Sequence, residues 1–256
     1  MRVKVIGSHG GTAPGYRTSC YLVNNRFYID AGSVASALSP KQQMAVTDIL
    51  ITHPHIDHIK DLCFLIENSF HPDRQELRIH STAEIINDIH THLFNNVLWP
   101  DFTKIPIDSK SGRFLMKFCP IEGSVSIDGV KIEPIKVNHP GNAVGYLLDA
   151  GNEQIVFSGD TGPTEKLWQK ASDCANLRAI FTEISFPSNM EALAKAAGHF
   201  TTRQLLDELA KVRQKDIPVY IAHFKPQFLE ELMNEFHRMA PERVILMHQE
   251  DEYIFE

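Results

Sequence analysis

The chain of 256 residues has no apolar run approaching the roughly 18 residues that a membrane-spanning helix needs, so no membrane association is expected. Its opening segment, Met1-Arg2-Val3-Lys4-Val5-Ile6-Gly7, reads as a strand and a glycine, without the apolar centre of a signal peptide. Cysteine is scarce: Cys20, Cys63, Cys119 and Cys174 stand singly, with no C-x-x-C pair. That usage points to buried free thiols in a reducing compartment, and the cytoplasm is the expected location. No run of five Lys or Arg occurs, and 25 basic against 32 acidic residues leave a net charge of -7. A broad footprint for a phosphate backbone is therefore missing, and nucleic acid is not the expected partner. Fixed-period repeats and low-complexity linkers are also absent. What remains is ordinary globular composition, 43% apolar and 22% charged. No composition break divides the chain, so residues 1–256 are expected to form a single domain.

Strands are expected at 2–6, 19–23, 26–30, 48–52, 77–80, 113–118, 124–127, 130–137, 143–148, 154–158, 178–184, 217–222, 243–248 and 252–255, where Val, Ile and Phe alternate or cluster. Asn24-Asn25 and Asp128-Gly129 read as tight hairpin turns. Helices are expected at about 59–69, 82–95, 164–174, 188–197, 202–214 and 226–239. In the fifth, Leu205, Leu206, Leu209 and Val212 make an apolar stripe, and Thr201 with Gln204 forms a capping-box pattern just before it. Hairpins with interspersed helices fit a mixed α/β fold of two packed sheets with helices outside.

Thirteen histidines are many for this length, and their placement is informative. The densest cluster is Thr52-His53-Pro54-His55-Ile56-Asp57-His58, directly after the strand Asp48-Ile49-Leu50-Ile51. In extended chain His53 and His55 point the same way, so both can bind one metal ion. The chain then turns into a helix, where Asp57 and His58 can face a second ion. Imidazoles with a carboxylate suit zinc, with manganese or iron as alternatives. Further candidates follow later strands: His139, Asp160 in Ser158-Gly159-Asp160-Thr161-Gly162, and His223. Each is weak alone; with the first motif they make seven potential ligands.

The order H-x-H-x-D-H, a histidine, an aspartate in a Gly-Asp-Thr turn, then a histidine resembles the metallo-β-lactamase superfamily over nearly the whole chain. The resemblance implies a four-layer αββα sandwich with a dinuclear metal site at the sheet edges. It implies that His53, His55 and His139 hold the first ion, that Asp57, His58 and His223 hold the second, and that Asp160 bridges both. Asp30, in Tyr28-Ile29-Asp30-Ala31-Gly32, is similar to the family's aspartate after an early strand, which supports the histidine loop rather than binding metal.

The segments Phe181-Thr182-Glu183-Ile184-Ser185-Phe186 and Ala197-Gly198-His199-Phe200-Thr201 resemble two phosphodiesterase branches of that superfamily, ribonuclease Z and the class II cyclic-nucleotide phosphodiesterases. Ser185-Phe186-Pro187 and Gly198-His199-Phe200-Thr201 are nearer the second. The glycine-rich opening, Ile6 to Ser19, is similar to both. The chain departs from the second branch at Ile59-Lys60-Asp61-Leu62-Cys63-Phe64, where that branch carries small residues and a serine. It departs from the first in its short connection between Asp160 and Glu183, with no room for the arm that grips transfer RNA.

The resemblance thus implies hydrolysis of a small phosphodiester, a 3',5'-cyclic nucleotide above all, through hydroxide bridged by two divalent ions. His199 is the candidate general acid, Glu183 holds it in the donating tautomer, and Asp57 completes the candidate catalytic set. An arm-less ribonuclease Z-like nuclease and a lactone or thioester hydrolase are the alternatives, and a homodimer is a family expectation. Other histidines read more plainly. His90 and His92 sit about 200° apart on a helix and cannot share an ion. His71, His80 and His237 have no partner in sequence; His9 and His248 lie where a loop or strand end can approach the site. Lys225 can meet a phosphate or solvent, and Trp99 and Phe102 are expected to pack.

Overall fold

This computed structural model describes all residues except Pro72, Ser109 and Glu256. Every strand expected from the alternation of apolar residues forms. They are β1 (Arg2–Gly7), β2 (Cys20–Val23), β3 (Phe27–Ile29), β4 (Asp48–Leu50), β5 (Leu77–Ser81), β6 (Met116–Pro120), β7 (Val125–Ile127), β8 (Val130–Lys136), β9 (Val144–Asp149), β10 (Gln154–Phe157), β11 (Leu177–Glu183), β12 (Val219–Ala222), β13 (Val244–Leu246) and β14 (Glu252–Ile254). They build two seven-stranded sheets, in the orders β14-β1-β2-β3-β4-β5-β6 and β13-β12-β11-β10-β9-β8-β7. Each sheet is antiparallel on one side and parallel on the other; β3 to β6 and β10 to β13 run parallel. Both expected hairpin turns carry the left-handed backbone that joins tightly turned strands: Asn24 (φ 51), Asn25 (φ 56), Asp128 (φ 49) and Gly129 (φ 81).

The apolar faces of the two sheets meet. Val3, Val5, Ile29, Ile49 and Ile79 of one sheet share a core with Ile132, Tyr146, Ile155 and Phe181 of the other. Phe157, Phe181 and Tyr220 are register neighbours across β10, β11 and β12, and their rings stack at 4.4 and 4.9 Å. Helices cover the outer faces: Leu62, Leu65, Ile85 and Ile89 on the first sheet, and Leu167, Trp168, Leu205, Leu209, Leu232 and Phe236 on the second. The layering is therefore helix, sheet, sheet, helix, the mixed α/β sandwich expected from the sequence. No helix among the described residues is long and apolar enough to cross a membrane.

Several boundaries differ from expectation. The helix expected at 59–69 is two, Ile56–Ile59 and Leu62–Asn68. The break has a cause: the Ala31 N–H donates to the His58 carbonyl (2.7 Å) and the Ala31 carbonyl accepts from the Asp61 N–H (3.1 Å), so a neighbouring loop interrupts the helical ladder. The helix expected at 202–214 stops at Leu209, closed by tight bonds from the Lys211 and Val212 N–H groups to the Glu208 and Leu209 carbonyls, although Val212 stays buried. The strand expected at 113–118 is shifted to Met116–Pro120, where it pairs with β5. The helices at Val34–Ala37 and Pro40–Met44 were not expected, although Ser39, Pro40 and Gln42 make a capping box with proline in the first turn. The free thiols of Cys20, Cys63 and Cys174 are buried and that of Cys119 half-buried; burial pushes Cys63 and Cys174 up to about 11.

Candidate metal centre

The parallel strands β3, β4, β10, β11 and β12 all end at one edge of the sandwich, and each delivers a polar side chain there: Asp30, Thr52 with the histidine loop, Asp160, Glu183 and His223. Asp30 leaves β3 in left-handed backbone (φ 59). One of its carboxylate oxygens accepts the backbone N–H of Thr52 (2.8 Å) and both lie within 3.0 Å of the Thr52 hydroxyl, while Oδ2 accepts Nδ1–H of His58 (2.7 Å). With its own proton given to Asp30, the Thr52 hydroxyl accepts from Nδ1 of His53 (3.0 Å). A single carboxylate thus turns Nε2 of both His53 and His58 toward the centre. Those two Nε2 atoms are buried and have no hydrogen-bond partner among the described residues. A buried, unpartnered imidazole nitrogen costs free energy unless another group, such as a metal ion, occupies its lone pair.

The other groups close around them. His139 donates Nδ1–H to the carbonyl of Gly198 (2.8 Å), and its Nε2 lies 3.0 Å from Nδ1 of His55, which is exposed at the mouth of the site. Asp160 is buried, and its Oδ2 is 3.0 Å from His223 Nε2, 3.3 Å from His58 Nε2 and 3.7 Å from His53 Nε2. Asp57 Oδ2 is 3.3 Å from His223 Nε2 and 3.9 Å from His58 Nε2. All seven side chains singled out in the sequence converge, as His53/His55/His139 and Asp57/His58/Asp160/His223, with the donor atoms in each group within 4.8 Å of one another. Neighbouring donors on a tetrahedral ion with bonds of roughly 2.0–2.1 Å lie about 3.3 Å apart, so this spacing suits metal ligation.

The electrostatics agree. Burial pushes His53 and His139 down, and the partial desolvation of His55 at the mouth acts the same way, which keeps their lone pairs free of protons. Burial acts the same way on His58 and His223 but is outweighed by Asp160, with Asp30 helping on His58 and Asp57 on His223; His58 is raised well above its usual range and His223 to about 9. Burial alone would raise Asp57 and Asp160, yet the facing imidazoles hold both carboxylates well below the usual range. Without a metal, protons on His58 and His223 thus balance charge that a cation would balance.

Beside the cluster sits a second constellation. Glu183, the last residue of β11, accepts Nδ1–H of His199 (2.7 Å) and the N–H of Thr161 (3.1 Å). His199 follows Gly198, which ends the helix Glu191–Ala197 in left-handed backbone (φ 68). The His199 ring is 4.9 Å from the His139 ring and 5.2 Å from the His223 ring, centre to centre. Sequence reasoning assigned no role to Thr52 or to Ser185, whose hydroxyl lies between Glu183 and His223. The signal was there for Ser185: period two in an extended segment puts it on the same face as Glu183. Glycines admit the close packing, since a Cβ on Gly10 would fall 2.5 Å from the His223 ring and one on Gly32 would fall 1.9 Å from the Asp57 carbonyl.

The remaining candidates lie elsewhere. His80 bonds to Asp48 (2.8 Å) and His90 to Asp101 (3.2 Å). His9 and His248 line a neighbouring cavity of about 320 Å³ with Tyr16, Phe224 and Met233, outside the ligand groups. Lys225 stands 5.6 Å above the Phe186 ring, Trp99 packs on Phe64 at 5.4 Å, and Phe102 is buried against Phe94.

Comparison with known proteins adds independent findings. A family model described as "Beta-lactamase superfamily domain" matches residues 25–249. A Yersinia pestis protein named "Probable 3',5'-cyclic-nucleotide phosphodiesterase" is 29% identical over 89% of this chain and 79% of its own length. The fold superposes on unliganded yeast PDE1 with a TM-score of 0.78 at 18% identity, covering 98% of each chain. It superposes on the metallo-beta-lactamase fold protein YhfI from Bacillus subtilis with a TM-score of 0.76 at 16% identity, covering 99% of each.

Proposed function

Since the chain belongs to the beta-lactamase superfamily and is a metal-dependent hydrolase, we propose that it hydrolyses a small phosphodiester, a 3',5'-cyclic nucleotide, in a reducing compartment such as the cytoplasm. The observation that carries the reading is the Glu183–His199 pair (2.7 Å) set against the ligand cluster. A thioester expels a thiolate, which leaves without a dedicated proton donor, whereas a cyclic phosphodiester must expel an alkoxide, which leaves far more readily once protonated. The name of the Yersinia pestis relative supports the same substrate class.

In this reading His53, His55 and His139 hold one divalent ion, Asp57, His58 and His223 hold a second, and Asp160 serves both; zinc suits the donors, with manganese or iron as alternatives. Bound there, the ions supply Lewis-acid polarisation of the phosphoryl oxygens and a water acidic enough to react at neutral pH. Asp57, the carboxylate of the cluster that reaches solvent, would help hold the second ion and would lie beside a water bound there, placed to accept a hydrogen bond from it. As the imidazolium, with Nδ1–H held by Glu183, His199 gives its Nε2 proton to the 3' oxygen as the P–O bond breaks and is left neutral. The product is a 5'-phosphomonoester.

Zinc- or manganese-loaded protein should convert cyclic AMP to 5'-AMP faster than it cleaves a precursor transfer RNA, a p-nitrophenyl ester or a lactone. Preferential turnover of the lactone or ester would overturn the assignment.

A further inference from the structure

Ser185 is fully buried, and its backbone is pinned: its N–H and that of Phe186 both donate to the Phe200 carbonyl, at 3.1 and 3.2 Å. Its hydroxyl is 2.7 Å from Glu183 Oε2, 2.8 Å from His223 Nδ1 and 3.2 Å from His199 Nδ1. A hydroxyl has one proton, and a carboxylate has none to give. The Ser185 proton therefore goes to Glu183, and its lone pair accepts Nδ1–H of His223. Glu183 Oε1 meanwhile accepts Nδ1–H of His199. The same wiring recurs across the site, where Asp30 bonds His58 directly and His53 through the Thr52 hydroxyl. Each carboxylate orients one imidazole directly and a second through a hydroxyl.

We propose that Ser185 is a positioning residue that carries the charge of Glu183 to His223, holding that ring with Nε2 toward the ion shared with Asp57 and Asp160. Glu183 then has two duties at once, orienting the proton donor His199 and strengthening a metal ligand. Thr52 does for His53 and the first ion what Ser185 does for His223 and the second. The inference rests on the two-ion reading above, and it goes beyond it by assigning each ion its own hydroxyl relay. Bonds of this kind, one shell beyond the ligands, are typically worth 10–100-fold in metal affinity.

The test is competition of the full-length protein against a chelator series, with bound zinc counted by elemental analysis. Wild type should retain two equivalents in weak chelator. Ser185→Ala should lose one equivalent at a chelator strength about 10–100-fold lower and hold the other as wild type does. Thr52→Val should weaken the other equivalent, so the double variant weakens both. Ser185→Thr, which keeps the hydroxyl, should restore binding. Glu183→Gln, nearly isosteric, should weaken the same ion as Ser185→Ala and serves if the alanine variant does not fold. Folded Ser185→Ala or Glu183→Gln protein that holds both ions with wild-type affinity would overturn the relay. Wild-type protein that binds no second equivalent would instead overturn the two-ion reading beneath it.

Discussion

Proton placement decides what each side chain in the cluster can do. His223, raised to about 9 by Asp160 and Asp57 against the effect of burial, carries a proton at pH 7 when no ion is present. An ion must displace that proton, so apparent affinity should climb with pH and level off above about 9; calorimetry in buffers of different ionisation enthalpy would count the protons released. His199 stands apart from the ligand set in this account. His199→Ala should cut turnover by about 10²–10⁴ while bound metal, counted by elemental analysis, stays at the wild-type level. Asp160→Ala should do the reverse first and lose metal, because its carboxylate faces His53, His58 and His223 together. The seven converging side chains could be read from residue types and spacing because strand ends present them in chain order. The Thr52 hydroxyl could not, since a buried threonine looks like any other until its neighbours are placed; alternation put Ser185 on the face of Glu183, but its bond to His223 comes from a strand end far along the chain.

Short elements hold these groups in position. Gly198 ends one helix in left-handed backbone, and its carbonyl accepts from His139 while the next residue is His199. A Cβ there would fall 2.5 Å from Pro140 Cδ and 3.2 Å from His139 Nδ1. Gly198→Ala should therefore cost about 1–2 kcal/mol in stability from the backbone alone, read by urea denaturation, and lower turnover by displacing His139. Thr201 accepts the Gln204 N–H (3.3 Å) and starts the next helix; Thr201→Ala should cost about 1 kcal/mol. Strands and hairpin turns were legible because alternation and the Asn-Asn and Asp-Gly pairs are local signals. The split of the 59–69 helix was not, because the bonds that break it come from Ala31, far away in sequence. The capping box at Ser39 was legible in principle, but its helix spans only Pro40–Met44 and has too few turns to show a period.

At the scale of the molecule, two sheets bury one apolar interior, and the site lies where their parallel strands end together. Phe181 is stacked between Phe157 and Tyr220 in that interior, so Phe181→Ala should cost about 3–5 kcal/mol and lower the denaturation midpoint without touching a ligand. The packing of the two sheets was expected from the order of elements and the family resemblance and not from local pattern, because partners such as Tyr146, whose hydroxyl donates to the Ile51 carbonyl, meet across a distance in chain that no local signal encodes. The central claim, that seven side chains hold two divalent ions for phosphodiester cleavage, is tested most directly by titrating chelator-stripped protein with zinc or manganese while following cyclic AMP hydrolysis. The account predicts no turnover in stripped protein and a rise that saturates at two equivalents per chain. Turnover that is unchanged by stripping, or full metal loading with no hydrolysis of any phosphodiester, would contradict it.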